Sequence, residues 1–184
     1  RDIELPETAV SARSTVVFFP GSTIGNFERD DAVLFLKRVA RLVGPGGAAL
    51  IGVDRQKETV TLERAYDDPQ GVTAAFNLNL LIRINRELGA NFDPGRFVHR
   101  AVYDADAGRI EMHLVSLCDQ IVQVPDGASR PVAIPFRRGE KIVTEHSYKY
   151  TIEGFCALAG AAGLRVEQVW SDPHELFSVY LLRA

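Results

Sequence analysis

A chain of 184 residues with 46% hydrophobic content can bury a real core, so one domain, with at most a subdomain, is the expected organisation. Its formal net charge of -3, with both signs spread along the sequence, supplies neither the basic stripe that tracks a phosphate backbone nor the acidic run of a disordered tail, which argues against a nucleic-acid partner. No apolar run approaches the roughly 18 residues of a membrane helix, and Cys118 and Cys156 sit in apolar surroundings without CxxC spacing, the pattern of buried free thiols in a reducing, cytoplasmic compartment.

Residues 1–13 are polar, contain Pro6 and read as a frayed lead-in. Val16, Val17, Phe18 and Phe19 then form a continuous apolar run, the pattern of a strand covered on both faces in a parallel sheet. A Gly/Ser/Asn-bearing loop, PGSTIGNF, leads into an amphipathic helix that places Val33, Leu34, Leu36, Lys37, Val39, Ala40 and Leu42 at positions making one side apolar. Glu28, Asp30 and Asp31 stand near its start, where the macrodipole favours negative charge, and Asn26 is a candidate cap for a start near Phe27. Gly44-Pro45-Gly46-Gly47 stops the helix, Ala48–Val53 is the next buried strand, and Asp54 marks its C-terminal end, where ligands approach in open α/β sheets.

The section 55–147 departs from that style and reads as an insert. Residues 57–90 carry two helical patterns, Val60, Leu62 and Ala65 and then Ala74 through Leu88, broken at Asp67-Asp68-Pro69-Gln70-Gly71. Beyond them Phe97–Asp104, Arg109–Val124 and Val132–Tyr150 alternate apolar and polar residues between turns at Asp106-Ala107-Gly108 and Pro125-Asp126-Gly127, an antiparallel meander. Thr151–Gly163 returns to helix, with a Thr cap and a Gly stop, and Leu164–Trp170 and Phe177–Leu182 read as a strand pair joined through Ser171–Glu175. The domain expectation is a partial α/β core from 1–56 and 148–184 with an inserted α+β subdomain over 57–147.

A nucleoside-binding sheet of this type needs a first strand, a glycine-rich turn and an acidic residue ending the second strand, and nothing upstream of Ser14 supplies them. The chain therefore reads as the later part of an enzyme, one whose isolated activity is not expected. Within it, Glu145 and Ser147 stand two positions apart, so in a strand they share a face and can converge on one small ligand, with a solvated polar face as the plain alternative. His146 turns to the opposite face. His99, His113, His146 and His174 have no i, i+4 helical pairing and no CxxC partner, and GxSxG is absent, so neither a metal site nor a serine nucleophile is expected.

FFPGSTIGNF, LVGPGG, RAYDDPQGVTAAFNLNLL, NRELGANF, RIEMHL and TEHSYKY, in that order and from about Ser14 to the end, resemble the ergothioneine-pathway L-histidine Nα-methyltransferases. GSTIGN is the specific signal; LxPGG alone would indicate only a methyltransferase-like sheet. The resemblance implies the second half of a class I, Rossmann-like methyltransferase sheet, with S-adenosylmethionine as cosubstrate, no metal, a small amino acid as partner and no membrane. It implies three methyl transfers to the α-amine of L-histidine, giving the trimethylated betaine. Other outcomes on the same frame are methylation of a different amino acid or small amine, or a non-catalytic binding module.

The family's histidine site falls on six positions of this chain. Asn26 matches the residue holding the amino-acid head group, with Gly21 beside it, and Tyr66 matches a phenol on the substrate carboxylate. Met112 matches the side chain packed on the imidazole, and Glu145 and Ser147 match the pair bonded to its two nitrogens, a chemistry that suits a buried ring with two nitrogens to satisfy. Gly21 and Ser22 are the cofactor-side candidates, and the small residues Gly21, Ser22 and Gly25 suit a loop that must leave room as methyls accumulate. By their own residue types, Asn26 fits a simple helix cap, Met112 core filling and Tyr66 an ordinary helix-end aromatic. The comparison also predicts a sheet in which Ala48–Val53 lies between Thr15–Phe19 and Phe177–Leu182, with Leu164–Trp170 on the far edge. The Thr15–Phe19 edge is then expected to be covered by a second copy, as self-association through the edge strand, or by the lead-in 1–13.

Overall fold

A computed structural model describes residues 14–125 and 130–184. In chain order the elements are β1 (Val16–Phe19), α1 (Arg29–Val43), β2 (Ala48–Asp54), α2 (Thr59–Tyr66), α3 (Val72–Leu88), β3 (Phe97–Asp104), β4 (Arg109–Ser116), β5 (Gln120–Val124), β6 (Val132–Phe136), β7 (Lys141–Tyr148), α4 (Ile152–Ala161), β8 (Arg165–Ser171) and β9 (Phe177–Arg183). They form two compact units, one of residues up to Lys57 together with Ser147–Ala184, the other of Glu58–His146.

The first unit is a four-stranded mixed sheet in the order β1-β2-β9-β8, parallel between β1 and β2 and antiparallel elsewhere, which is the expected order. Alternate residues of the strands, Ala49, Ile51 and Val53 from β2 and Tyr180 and Leu182 from β9, face a core completed by Leu36, Val39 and Val43 of α1 and Phe155, Leu158 and Ala159 of α4. In α1 those positions follow the 3.6-residue period. The helix begins at Arg29 with Glu28 at its N-cap and Asp30 and Asp31 in the first turn, so Asn26 is not its cap. Asn26 instead closes a 3₁₀ turn over Thr23–Asn26. α4 starts as expected, with Thr151 Oγ1 accepting from Gly154 N at 2.9 Å.

β1 departs from the expectation of burial on both faces. Val17 and Phe19 pack into the core, Phe19 against Phe35 at 4.8 Å between ring centroids, but Val16 and Phe18 are 57% and 68% exposed. The helices α1 and α4 cover one face of the sheet, and that is the face these two residues turn away from. Among the described residues β1 is also the edge of the sheet, and the lead-in expected to cover it lies outside them.

The second unit packs α2 and α3 with a three-stranded sheet in the order β3-β4-β7 and a separate β5-β6 hairpin. The break between the helices falls where the Asp-Asp-Pro-Gln-Gly run predicts it. There Asp68 caps α3, accepting from Thr73 N at 2.8 Å and Val72 N at 3.1 Å, and these backbone donors hold its carboxyl down to about 2. The β3–β4 turn closes on Asp104, whose carbonyl accepts from Gly108 N and whose carboxylate accepts from Ala107 N. The long strands expected over 109–124 and 132–150 are each split in two. Asp119 accepts from Arg138 N at 2.7 Å, Ser116 Oγ donates to the Cys118 carbonyl, and Gly139 takes a φ of 86°, so the chain turns at both breaks and β5 and β6 pair with each other. The expected turn at Asp126-Gly127 lies outside the described residues. Leu81, Phe92, Phe97, Leu114 and Phe136 form this unit's main core, and Leu62, Ile110 and Met112 a smaller one.

Cys118 and Cys156 are free thiols, partly exposed and not buried as expected. Cys118 sits in the turn after β4, where the split strand opens to the surface. Among the described residues no helix is long and apolar enough to cross a membrane.

Candidate functional site

In the first unit the loop Gly21–Asn26 sits where β1 ends and packs onto the C-terminal part of β2. Ser22 Oγ accepts from Asp54 N at 2.8 Å, which pins the loop to that strand end and holds Ser22 in a left-handed conformation, φ 59°. Ile24 is fully buried in the core. Gly25 is required by close approach: a Cβ there would stand 2.6 Å from the carbonyl oxygen of Tyr148. The expectation that Gly25 gives a substrate room is therefore corrected, because its missing side chain is used to seat the loop on the chain at Tyr148. At Gly21, φ 79°, a Cβ would meet nothing within 4 Å, so of the loop's two glycines this one leaves open space.

The strand at the end of β7 has a strict division of faces. Tyr148 and Tyr150 point into the core of the first unit, so Ser147 and Lys149 take the other side, as period-2 alternation requires. Tyr148 donates its hydroxyl to Glu28 Oε2 at 2.5 Å and lies under the Arg29 guanidinium, 5.4 Å from its ring centroid. Burial pushes the Tyr150 hydroxyl up to about 12. On the opposite side Lys149 is buried, its side chain 1% exposed, and its Nζ donates to Ser147 Oγ at 3.0 Å and pairs with Asp54 Oδ2 at 2.8 Å. The second Asp54 oxygen accepts from Lys57 Nζ at 2.6 Å, and Lys57 also donates to the Leu176 carbonyl. Ser22, Asp54, Lys149 and Ser147 thus form one hydrogen-bonded line.

In the second unit Met112 and Glu145 line one cavity of about 230 Å³ together with Phe76, Asn77, Leu80 and Thr144. Thr144 Oγ1 donates to the Met112 carbonyl at 3.0 Å, fixing β7 against β4 beside it. Met112 also packs with Leu62 and Tyr66 in the small core, so filling the core and walling the cavity are both its roles. Tyr66 ends α2, and its carbonyl accepts from His99 Nε2 at 2.8 Å. That bond fixes the tautomer: the other ring nitrogen, Nδ1, accepts from Asn77 Nδ2 at 2.9 Å, and the same amide donates to the His113 carbonyl at 3.3 Å. Both His99 and Asn77 are buried, with their polar groups engaged as burial requires.

The opposite face of β4 carries Glu111, which pairs with His113 at 2.8 Å and Arg109 at 2.6 Å, with Lys141 and His146 each at 3.6 Å. His113 and Arg109 hold the Glu111 carboxyl down to about 2. His146 is therefore on the face away from Glu145, as alternation predicts. Among the described residues no three His, Cys, Asp or Glu side chains gather as a metal site requires.

The structure brings Met112 and Glu145 together on one cavity in the second unit, whereas Tyr66 packs on the small core with Met112 and is not among the residues lining that cavity. In the first it gathers Gly21, Ser22 and Asn26 in one loop, with Ser147 on the strand after the boundary. Lys149 and Asn77 are the residues that reading the sequence missed. The alternation Glu145, Ser147, Lys149 in TEHSYKY held the signal for Lys149, whereas Asn77 lies among helical leucines without one.

Comparison with known proteins gives a consistent family. A family described as "Histidine-specific methyltransferase, SAM-dependent" matches residues 3–184. A Histidine N-alpha-methyltransferase of Mycolicibacterium smegmatis is 43% identical over 166 residues, 90% of this chain and 51% of that protein. One of Mycobacterium tuberculosis is 40% identical over 168 residues, 91% of this chain and 51% of that protein. Ergothioneine biosynthesis protein 1 of Neurospora crassa is 33% identical over 165 residues, 88% of this chain and 18% of that protein. The chain spans about half the length of the two mycobacterial relatives.

Proposed function

The chain belongs to the histidine-specific, S-adenosylmethionine-dependent methyltransferases, and from that premise we propose that the protein carrying it methylates the α-amino group of L-histidine, three times in succession, to the betaine. The observation that carries this reading is the pairing of Met112 and Glu145 on one small cavity. A thioether covers the face of a flat ring while a carboxylate accepts from its N–H, a combination suited to imidazole and poorly suited to an aliphatic or purely hydrocarbon side chain. The relative named for ergothioneine biosynthesis supports the trimethylated product.

In this reading Asn26 and the Tyr66 hydroxyl hold the amino-acid head group, Met112 packs on the ring, and Glu145 and Ser147 bond its nitrogens. Bound S-adenosylmethionine supplies a methyl group activated on a sulfonium. Gly21, whose Cβ position is open, and Ser22, fixed by Asp54, fit the methyl end of that molecule. Positive charge passes from sulfur to nitrogen, so little new charge needs stabilising, and holding the amine in line supplies most of the acceleration. The amine attacks in its neutral form, and water or a nearby carboxylate suffices to take its proton.

The test is a panel of the twenty amino acids with the full-length protein and S-adenosylmethionine, read by mass spectrometry with fragmentation to place each methyl group. One, two and three methyls on the histidine α-nitrogen are expected. Methyl transfer to a ring nitrogen, or a preference for another amino acid, would overturn the proposal.

A further inference from the structure

Asn77 stands among the leucines of α3 and is only 3% exposed, yet it lines the same cavity as Met112 and Glu145. The direction of its amide is set by what surrounds it. The His113 carbonyl, 3.3 Å from Nδ2, can only accept, so the nitrogen and not the oxygen must face it. His99 Nδ1, 2.9 Å from the same nitrogen, accepts as well, because the hydrogen on His99 Nε2 is donated to the Tyr66 carbonyl. Both amide hydrogens are thereby used, and they hold α3 to β3 and β4.

Asn77 Oδ1 is the polar atom that these bonds leave over. Among the described residues no donor meets it, and the sealed, unpartnered polar atoms belong to Arg55 and Tyr150 instead. The open surface of Oδ1 is therefore what Asn77 offers the cavity, beside the apolar walls of Phe76, Leu80 and Met112. An acceptor held in one direction by two hydrogen bonds is costly to cover with a group that brings it no hydrogen.

We propose that Asn77 is a specificity-determining residue of this cavity, its Oδ1 accepting a hydrogen bond from an N–H of the bound ring. This rests on the reading above, in which the cavity takes the imidazole of histidine. The N–H given there to Glu145 is shared between the Glu145 carboxylate and the Asn77 carbonyl as a three-centre bond. Both groups accept, so a ring without hydrogen on nitrogen loses both bonds and is rejected for that reason. Asn77, Met112 and Glu145 all belong to the second unit, so this selection is made within one compact body.

The experiment measures, by calorimetry on the full-length protein, binding of histidine and of β-(thiazol-4-yl)alanine, whose ring has a similar shape and a nitrogen acceptor but no N–H. The wild type is expected to prefer histidine, and Asn77→Ala to reduce that preference by about 3- to 10-fold. His99→Phe removes the same bond between His99 and Asn77 but leaves the Nδ2 contact with the His113 carbonyl, so Oδ1 keeps its direction and the preference should stay within about 2-fold of wild type. If Asn77→Ala does not fold, a crystal structure of the wild type with histidine decides the matter: a ring nitrogen within about 3.2 Å of Asn77 Oδ1 is expected, and one out of hydrogen-bond reach would overturn the proposal. So would a wild type without the preference, an unchanged preference in folded Asn77→Ala, or an equal loss in His99→Phe, which would leave Asn77 a purely structural role. Wild type that binds histidine with this preference but methylates a different amino acid would instead sink the functional reading and leave the assignment of Asn77 standing, and binding of neither amino acid would overturn both.

Discussion

Replacing Gly25 by alanine tests whether the GSTIGN loop is seated by backbone contact. The new Cβ would lie 2.6 Å from the Tyr148 carbonyl oxygen, 3.4 Å from its nitrogen and 3.6 Å from its carbonyl carbon. Ordinary contact begins near 3.4 Å, so loop and strand must separate by about 0.8 Å. Neither side yields cheaply. Ile24 is fully buried beside Gly25, and Tyr148 is anchored in the core and by its hydroxyl bond to Glu28. Overpacking of this kind costs about 1–3 kcal/mol, which for a chain of this size lowers Tm by roughly 2–10 °C. The displaced neighbours are Asn26 and Ser147, and a misplacement near 1 Å costs on the order of 100-fold in rate. Thermal unfolding by circular dichroism and kcat/KM for histidine should therefore fall together. Gly21→Ala is the control, since its Cβ meets nothing and only the left-handed φ is penalised, by about 1 kcal/mol. Unchanged melting and kinetics for Gly25→Ala, or a larger loss of stability for Gly21→Ala, would refute the argument.

Three further outcomes are expected. Glu145→Ala should lower kcat/KM for histidine by about 2–4 kcal/mol and leave slow turnover of aromatic analogues nearly unchanged; equal losses for both in steady-state assays would contradict its assignment to the ring. Asn77→Leu strips the donor from His99 Nδ1, leaving a buried acceptor unpaired, and removes the side-chain donor to the His113 carbonyl; it should cost about 1–3 kcal/mol in a urea titration, a change below about 0.5 kcal/mol being incompatible with that role. Glu111 titrates at about 2 when folded against an ordinary 4.5, a depressed carboxylate, so its contribution is full above about pH 4.5 and is lost as pH falls toward about 2. The Tm gap between wild type and Glu111→Gln, followed by calorimetry from pH 6 to pH 2, should close over that window, and a gap that stays constant there would refute the pairing.

The first unit was the more legible because each element carried its own signal. The run Val16–Phe19, the Gly-Pro-Gly-Gly stop and the Thr151 cap each state a local geometry, and the sheet order followed from the resemblance to class I methyltransferases. Burial was harder to read from the same letters. Four consecutive apolar residues in β1 look the same whether one face or two are covered, and only the position of α1 and α4 decides that Val16 and Phe18 stay exposed. In the second unit, alternation located strand-forming segments but not their ends, because Asp119 and Gly139 break strands through a hydrogen bond and a backbone angle that pattern does not encode.

The candidate site divides along the same line. Met112 and Glu145 share a face because Thr144 ties β7 to β4, a pairing between strands far apart in sequence, so their proximity is a property of the fold and not of spacing. Lys149 is the reverse case. Its face was fixed by local alternation with Tyr148 and Tyr150, yet a lysine in a polar-looking segment is ordinarily solvated. What buries it is Asp54, 95 positions earlier at the end of β2, offering a carboxylate oxygen at 2.8 Å. A buried ammonium persists only where such a partner and further acceptors are supplied, and here the further acceptor is Ser147. The burial of Lys149 is thus set jointly by the end of β2 and by Ser147, partners that local alternation in TEHSYKY does not reveal.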